Sequence, residues 1–106
     1  MNTETFASFL HDHPRVLVKF SAKWCGPCKA MEPGLRQLES EANFPPVLRI
    51  DVEEDAELAG HYGIRAMPTL MVFEHGRPVK TQVGALSPAQ LQAFIEPSTS
   101  PSAAPG

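Results

Sequence analysis

The chain has 106 residues, enough for one domain that buries most of its apolar surface without covalent cross-links. Its composition, 42% hydrophobic and 20% charged, is that of an ordinary soluble protein, and its formal net charge of -3 argues against a nucleic-acid or anionic-membrane partner. No apolar run approaches the roughly 20 residues that span a bilayer, and the first five residues contain the acidic Glu4 where a signal peptide needs positive charge. We therefore expect a cytoplasmic protein, in which two closely spaced cysteines are more often catalytic or metal-binding than structural.

The first third of the chain predicts a helix, a strand and a second helix. Apolar residues at helical spacing predict an amphipathic helix from Thr3 to Asp12, and β-branched and aromatic residues predict a strand from Arg15 to Ser21, buried on both faces. Lys19 is the single charge inside that strand. The second helix should begin at the cysteines, and Pro33 predicts a kink in one continuous helix rather than two separate helices.

The remainder predicts two more helices and three more strands. They are a strand at 47–52, an acidic helix at 53–62, a hairpin of strands at 69–73 and 78–83, and a final helix that begins with Ser87 as N-cap, Pro88 and the capping-box residue Gln90. Gly76 supplies the positive φ of the hairpin turn. This order predicts an α/β fold, a mixed four-stranded sheet flanked by four helices.

The last ten residues differ in composition from the rest. Residues 97–106 contain only Pro, Ser, Thr, Ala and Gly, which cannot offset the entropy of ordering a chain. We therefore expect one domain over residues 1–96 and a disordered tail over residues 97–106.

Both cysteines lie two residues apart, directly after the first predicted strand. Cys25 should sit at the N-terminus of a helix, where free N–H groups and the helix dipole stabilise a thiolate. Cys28, one turn further, is placed to attack a mixed disulfide formed by Cys25, and Gly26 and Pro27 set the turn between them. The alternatives are inert cysteines or a metal site. Two cysteines and scattered histidines do not supply four zinc ligands within one chain, so we predict no metal.

Three motifs resemble those of the thioredoxin family: Trp24-Cys25-Gly26-Pro27-Cys28-Lys29, Met67-Pro68-Thr69, and Gly84. The resemblance covers the chain from about Phe6 to Ile95. It implies a thioredoxin fold in which Cys25 attacks, Cys28 resolves, and Pro68 follows a cis peptide bond, with a trans proline as the alternative. The implied substrate-binding residues are Trp24, Gly26, Pro27, Met67, Pro68 and Gly84, with the backbone of Met67 pairing to an extended substrate segment.

The resemblance implies a protein-disulfide reductase without a bound cofactor. Its implied partners are a thioredoxin reductase, which would supply electrons, and disulfide-containing client proteins. Three alternatives remain open. They are a more oxidising or client-specific disulfide exchange protein, a binding module that uses the docking surface without turnover, and a dimer that bridges a metal through two cysteine pairs.

The chain departs from the family in lacking the usual strand before the first helix. We therefore expect the strand at 47–52 to lie at an edge of the sheet. An uncovered edge can pair with another chain. The expected state is a monomer, with weak dimerisation through this edge as an alternative.

A second departure lies under the predicted active site. The family's buried aspartate aligns with Lys19, and the lysine that partners it aligns with Val47. If Lys19 stays charged, it favours thiolates and makes the protein more oxidising. If burial leaves it neutral, it can accept the proton of Cys28. In a third alternative the amine extends to the surface and does neither.

Overall fold

The computed structural model describes residues 2–96, and this part of the chain contains four strands and five helices. In chain order they are α1 (Thr3–Asp12), β1 (Arg15–Ser21), α2 (Gly26–Ala30), α3 (Glu32–Glu39), β2 (Val47–Asp51), α4 (Ala56–His61), β3 (Thr69–Glu74), β4 (Arg77–Val83) and α5 (Pro88–Phe94). The predicted disordered tail lies outside the described residues.

The strands form one mixed sheet in the order β2-β1-β3-β4. Strand β1 pairs in parallel with β2, and β3 pairs antiparallel with both β1 and β4. The central strands β1 and β3 are buried at every interior position. In β2, buried and half-buried residues alternate, and β4 has no buried residue. The prediction of a four-stranded mixed sheet with the second strand at an edge is confirmed.

The prediction of one kinked helix after the cysteines is wrong. Met31 separates α2 from α3, with φ -87 and ψ -7, and it is the C-cap of one and the N-cap of the other. Pro33 has no N–H to donate to the carbonyl of Lys29 four residues earlier, and its ring crowds that carbonyl. The chain therefore ends one helix and starts another, which makes five helices rather than four.

The acidic helix also begins later than predicted, at Ala56 rather than Glu53. The carboxylate of Asp51 accepts the backbone N–H of Glu53 at 2.8 Å and that of Glu54 at 3.2 Å. These two bonds hold residues 51–54 in a turn, because an aspartate side chain that binds nearby N–H groups competes with helix formation.

Helices cover both faces of the sheet. One core cluster joins residues of α1 and α4 to β1, β2 and β3, and it contains edge-to-face contacts among Phe6, Tyr62 and Phe73. The second cluster joins α3 and α5 to the other face through residues such as Leu35 and Leu91. None of the helices in residues 2–96 is long and apolar enough to cross a membrane.

The capping box predicted for the last helix is confirmed. The Ser87 hydroxyl accepts the backbone N–H of Gln90 at 3.2 Å, and the Gln90 side chain accepts the backbone N–H of Ser87 at 2.9 Å. Helix α5 then lies so close to α3 that a Cβ added at Gly34 would be 2.7 Å from Cγ of Pro88. This contact joins the two helices that cover the second face of the sheet.

Candidate active site

The cysteine pair lies where the central strand β1 ends and α2 begins. After β1, the backbone N–H of Cys25 donates to the carbonyl of Ala22 at 3.1 Å, and Cys25 becomes the N-cap of α2. Cys28 lies one turn into that helix, and the two residues are joined by a disulfide with their Cα atoms 5.3 Å apart. The structure therefore describes the oxidised state of the site, with both cysteines buried.

The start of α2 places a hydrogen-bond donor against the first cysteine. The backbone N–H of Cys28 donates to Sγ of Cys25 at 3.1 Å. Gly26 and Pro27 form the first turn, and Pro27 occupies a position where a missing N–H leaves no carbonyl unpaired. A donor already aimed at sulfur stabilises a thiolate more than a thiol, so the local structure favours Cys25 as the nucleophile after reduction.

A loop from a distant part of the sequence lies beside the disulfide. The Met67-Pro68 peptide bond is cis, which confirms the predicted isomer. Met67 packs against a small cluster formed by the two cysteines and Ala22. Gly84, with φ +105, donates its backbone N–H to the carbonyl of Pro68 at 2.8 Å. The fold thus brings Met67, Pro68 and Gly84 together next to the cysteine pair.

The backbone of Met67 is available for a further partner. Within residues 2–96, neither its N–H nor its carbonyl makes a backbone hydrogen bond. Polar backbone groups next to a buried disulfide need such partners, so an extended segment laid along Met67 would satisfy them.

Trp24 extends from the start of the motif into solvent. Its side chain is 64% exposed, and its indole Nε1 donates to the carboxylate of Glu53 at 3.2 Å. Sequence reasoning placed Glu53 at the start of the acidic helix and missed this contact. Val83, directly before Gly84, is 58% exposed as well. Large exposed apolar side chains of this kind are typical of a protein-docking surface.

Lys19 lies beneath the cysteine pair and is 2% exposed. Its Nζ donates to the backbone carbonyl of Cys28 at 2.9 Å and contacts the carboxylate of Glu32. The side chain does not reach solvent, which excludes the alternative in which its amine extends to the surface. A buried charge needs a partner, and Lys19 has one in Glu32.

Two half-buried residues, Glu32 and Arg49, complete this group of charges, and sequence reasoning missed both. Nε of Arg49 donates to the two carboxylate oxygens of Glu32 at 3.1 and 3.2 Å, and its guanidinium reaches Glu39 at 2.9 Å. Burial by itself raises the pKa of Glu32, but hydrogen bonds and charge from Lys19 and Arg49 outweigh burial, and the pKa lies below its ordinary value. The available signal was a pair of cations, Lys19 and Arg49, on neighbouring apolar strands.

A cysteine pair bonded across the first turn of a helix, beside a cis-proline loop on an α/β sheet, defines a protein built for thiol-disulfide exchange. A family model described as Thioredoxin matches residues 1–97. The chain belongs to the thioredoxin family.

Individual relatives agree with that family. Thioredoxin of Acidithiobacillus ferridurans is 44% identical over 82 residues, which cover 76% of each chain. Thioredoxin-2 of Pyricularia oryzae is 43% identical over 96 residues, which cover 89% of this chain and 54% of that longer protein. Oxidised mitochondrial thioredoxin 3 of Saccharomyces cerevisiae has a similar crystal structure, with a TM-score of 0.81 at 30% identity over 89% of this chain and 88% of that one. The predicted thioredoxin fold is confirmed, and the chain is a protein-disulfide oxidoreductase.

Proposed function

We propose that this oxidoreductase works in the reducing direction, with Cys25 as the nucleophile and Cys28 as the resolving cysteine. The observation that carries the proposal is the 3.1 Å hydrogen bond from the backbone N–H of Cys28 to Sγ of Cys25, at the start of α2. Once the disulfide is reduced, that donor stabilises the Cys25 thiolate, which is the attacking form.

The reaction then has two exchange steps. The Cys25 thiolate attacks one sulfur of a client disulfide, a mixed disulfide forms, and the other client sulfur leaves as a thiolate. Cys28 loses its proton and attacks Sγ of Cys25, which breaks the mixed disulfide and releases the second client sulfur. The client gains two electrons. The chain returns to the disulfide-bonded state, in which the Cα atoms of Cys25 and Cys28 are 5.3 Å apart.

The client would lie on the surface formed around the cysteine pair. An extended segment of the client hydrogen bonds to the free backbone groups of Met67, in the manner of an added strand. The six residues proposed to line this surface are Trp24, Gly26, Pro27, Met67, Pro68 and Gly84. Support comes from the packing of Met67 on the cysteines and from the hydrogen bond between Gly84 and Pro68.

Electrons would come from a thioredoxin reductase, and the cytoplasm is the proposed location. A relative from Mycobacterium leprae is named a bifunctional thioredoxin reductase/thioredoxin and is 41% identical over 87 residues, which cover 81% of this chain and 19% of that protein. In that protein the two activities occur in one polypeptide. This supports a separate reductase as the electron donor for the shorter chain.

The proposed state is a monomer, and the alternative is weak dimerisation through the open edge of β2. Sedimentation at rising protein concentration tests this, and a constant monomer mass would contradict the dimer. Deletion of residues 97–106 tests the proposal that they form a linker outside the domain. Unchanged stability and activity are expected.

The proposed reduction is tested by insulin precipitation with dithiothreitol as the electron source. The unmodified chain should accelerate the reaction, and Cys25→Ser should abolish the acceleration. Cys28→Ser should retain the nucleophile and accumulate a covalent mixed disulfide with insulin, visible as a mass increase. Absence of turnover in the unmodified chain, together with absence of a mixed disulfide in Cys28→Ser, would favour a binding module instead.

A more oxidising exchange protein is the second candidate, favoured by the buried amine of Lys19 at 2.9 Å from the Cys28 carbonyl. That amine also forms an ion pair with the Glu32 carboxylate, and this contact supports the tuning role over the role of proton acceptor. Equilibration with reduced and oxidised glutathione decides between the candidates, because it measures the potential of the cysteine pair.

A further inference from the structure

A continuous chain of charges runs from the cysteine helix to the edge strand. Lys19 on β1 contacts Glu32 at the start of α3, Glu32 binds Arg49 on β2, and Arg49 also binds Glu39 at the end of α3. Arg36 approaches the same Glu32 carboxylate from the solvent side at 3.4 Å. These are the charged groups that face Glu32 from the elements packed around it.

The two carboxylates of this charge network, Glu32 and Glu39, differ in the residues that they contact. Glu32 contacts the lysine whose Nζ is hydrogen bonded to the backbone of Cys28. Within residues 2–96, Glu39 binds Arg49 at 2.9 and 3.3 Å and makes no hydrogen bond to Lys19 or to the cysteine helix. The structure therefore contains one carboxylate coupled to the redox site and a second that serves as its natural control.

An unbalanced cation at the position of Lys19 would act on the sulfurs in one direction. A positive charge near a cysteine pair favours thiolate over thiol and therefore favours the reduced over the oxidised state. Glu32 supplies a negative charge directly against that cation, in a site where low solvent access leaves the interaction little screened. The carboxylate also fixes the amine in place, since a lysine stem is otherwise free to turn toward water.

We propose that Glu32 is a positioning residue for the exchange reaction: it holds Lys19 against the Cys28 backbone and balances its charge, and so sets the redox potential and thiolate formation of the cysteine pair. This inference rests on the proposed disulfide reduction. In the reaction it concerns, the Cys25–Cys28 disulfide accepts two electrons from dithiothreitol or a reductase, the S–S bond breaks, and the two sulfurs are left as thiol or thiolate according to the surrounding charge.

The proposal predicts opposite effects from the two members of the pair. Glu32→Gln removes the negative charge that balances Lys19, so the reduced form of the cysteine pair becomes more stable. The equilibrium with glutathione should shift toward the reduced form by roughly tenfold, which makes the reduction potential of the pair about 30 mV more oxidising. Lys19→Met removes the cation beneath the cysteine pair and leaves Glu32 with Arg49 and Arg36 as its partners, so the equilibrium shifts in the reducing direction. The pH dependence of alkylation measures thiolate formation. The pH at which the thiolate forms should be lower in Glu32→Gln and higher in Lys19→Met.

Glu39→Gln is the matched control. This variant removes one carboxylate charge from the network, as Glu32→Gln does, but leaves the contact between Lys19 and Glu32 intact. Its equilibrium constant with glutathione should therefore stay within about twofold of that of the unmodified chain. A purely structural role for Glu32 would lower stability in both Glu variants and leave the potential and the alkylation profile unmoved.

Each outcome supports or overturns the inference. Opposite shifts in Glu32→Gln and Lys19→Met, with Glu39→Gln unchanged, support it. An unchanged potential in Glu32→Gln, a shift in the same direction as Lys19→Met, or an equal shift in Glu39→Gln overturns it. If Glu32→Gln does not fold, Lys19→Met decides, because Glu32 keeps Arg49 as a partner in that variant. Failure of the unmodified chain to reduce insulin would refute the proposed function instead, since the glutathione equilibrium is measured independently of turnover.

Discussion

The contact between α3 and α5 provides a quantitative test of the helix packing on the second face of the sheet. Gly34 faces the ring of Pro88, and a Cβ added at Gly34 would lie 2.7 Å from Cγ of that ring. Carbon atoms prefer a separation of roughly 3.5 to 4.0 Å. Gly34→Ala therefore requires a shift of most of an ångström between the two helices, because a proline ring cannot rotate away and can relieve the contact only in part by a change of pucker.

The expected cost follows from two opposing terms. Overpacking a close contact costs roughly 1 to 3 kcal/mol, whereas alanine stabilises a helix interior relative to glycine by about 0.5 to 1 kcal/mol. The free energy of unfolding should therefore fall by about 1 kcal/mol. For a domain of this size, that corresponds to a decrease of roughly 4 to 8 °C in Tm.

Urea denaturation of the oxidised protein, with matched variants, measures the effect. Gly60→Ala is the control, because Gly60 lies in α4 where a Cβ would meet nothing within 4 Å, and the variant should be at least as stable as the unmodified chain. Pro88→Ala removes the opposing ring, so Gly34→Ala should cost less in that background. Equal stability of Gly34→Ala and Gly60→Ala, with no coupling to Pro88, would refute the inferred contact.

Two further predictions concern Glu32 and the cap of α5. The pKa of Glu32 is held below its ordinary 4.5, so the carboxylate stabilises the fold above about pH 4.5 and this contribution is lost as the pH falls through the lowered folded-state pKa. The difference in unfolding free energy between the unmodified chain and Glu32→Gln should therefore shrink on acidification in urea titrations, and a pH-independent difference would contradict the assigned ion pair. Ser87→Ala removes the hydroxyl that accepts the Gln90 N–H, and should lower the unfolding free energy by about 1 kcal/mol. A thermal melt unchanged from that of the unmodified chain would show that this capping bond contributes nothing.

Local sequence signals predicted most of the elements correctly. The apolar run of residues 15–21 has the composition of a strand buried on both faces, and the structure places it at the centre of the sheet. The capping box at Ser87 and the turn glycine at Gly76 act through neighbours in the chain, so their positions could be read without the fold. Pro33 was recognised as an interruption, but whether a proline kinks or ends a helix depends on how the next segment packs, and here it ends one at Met31.

The sequence by itself determined the chemistry of the site, because Cys25 and Cys28 are neighbours on one helical turn and their spacing alone places the two sulfurs within bonding reach. Tertiary structure decided the surroundings of that chemistry. It brought the loop at Met67 and the backbone of Gly84 to the cysteines, and it placed Glu32 between Lys19 and Arg49. A cation inside an apolar strand shows that a partner must exist. Which carboxylate becomes that partner depends on the side of the sheet where the helix settles, and only the packed fold specifies it.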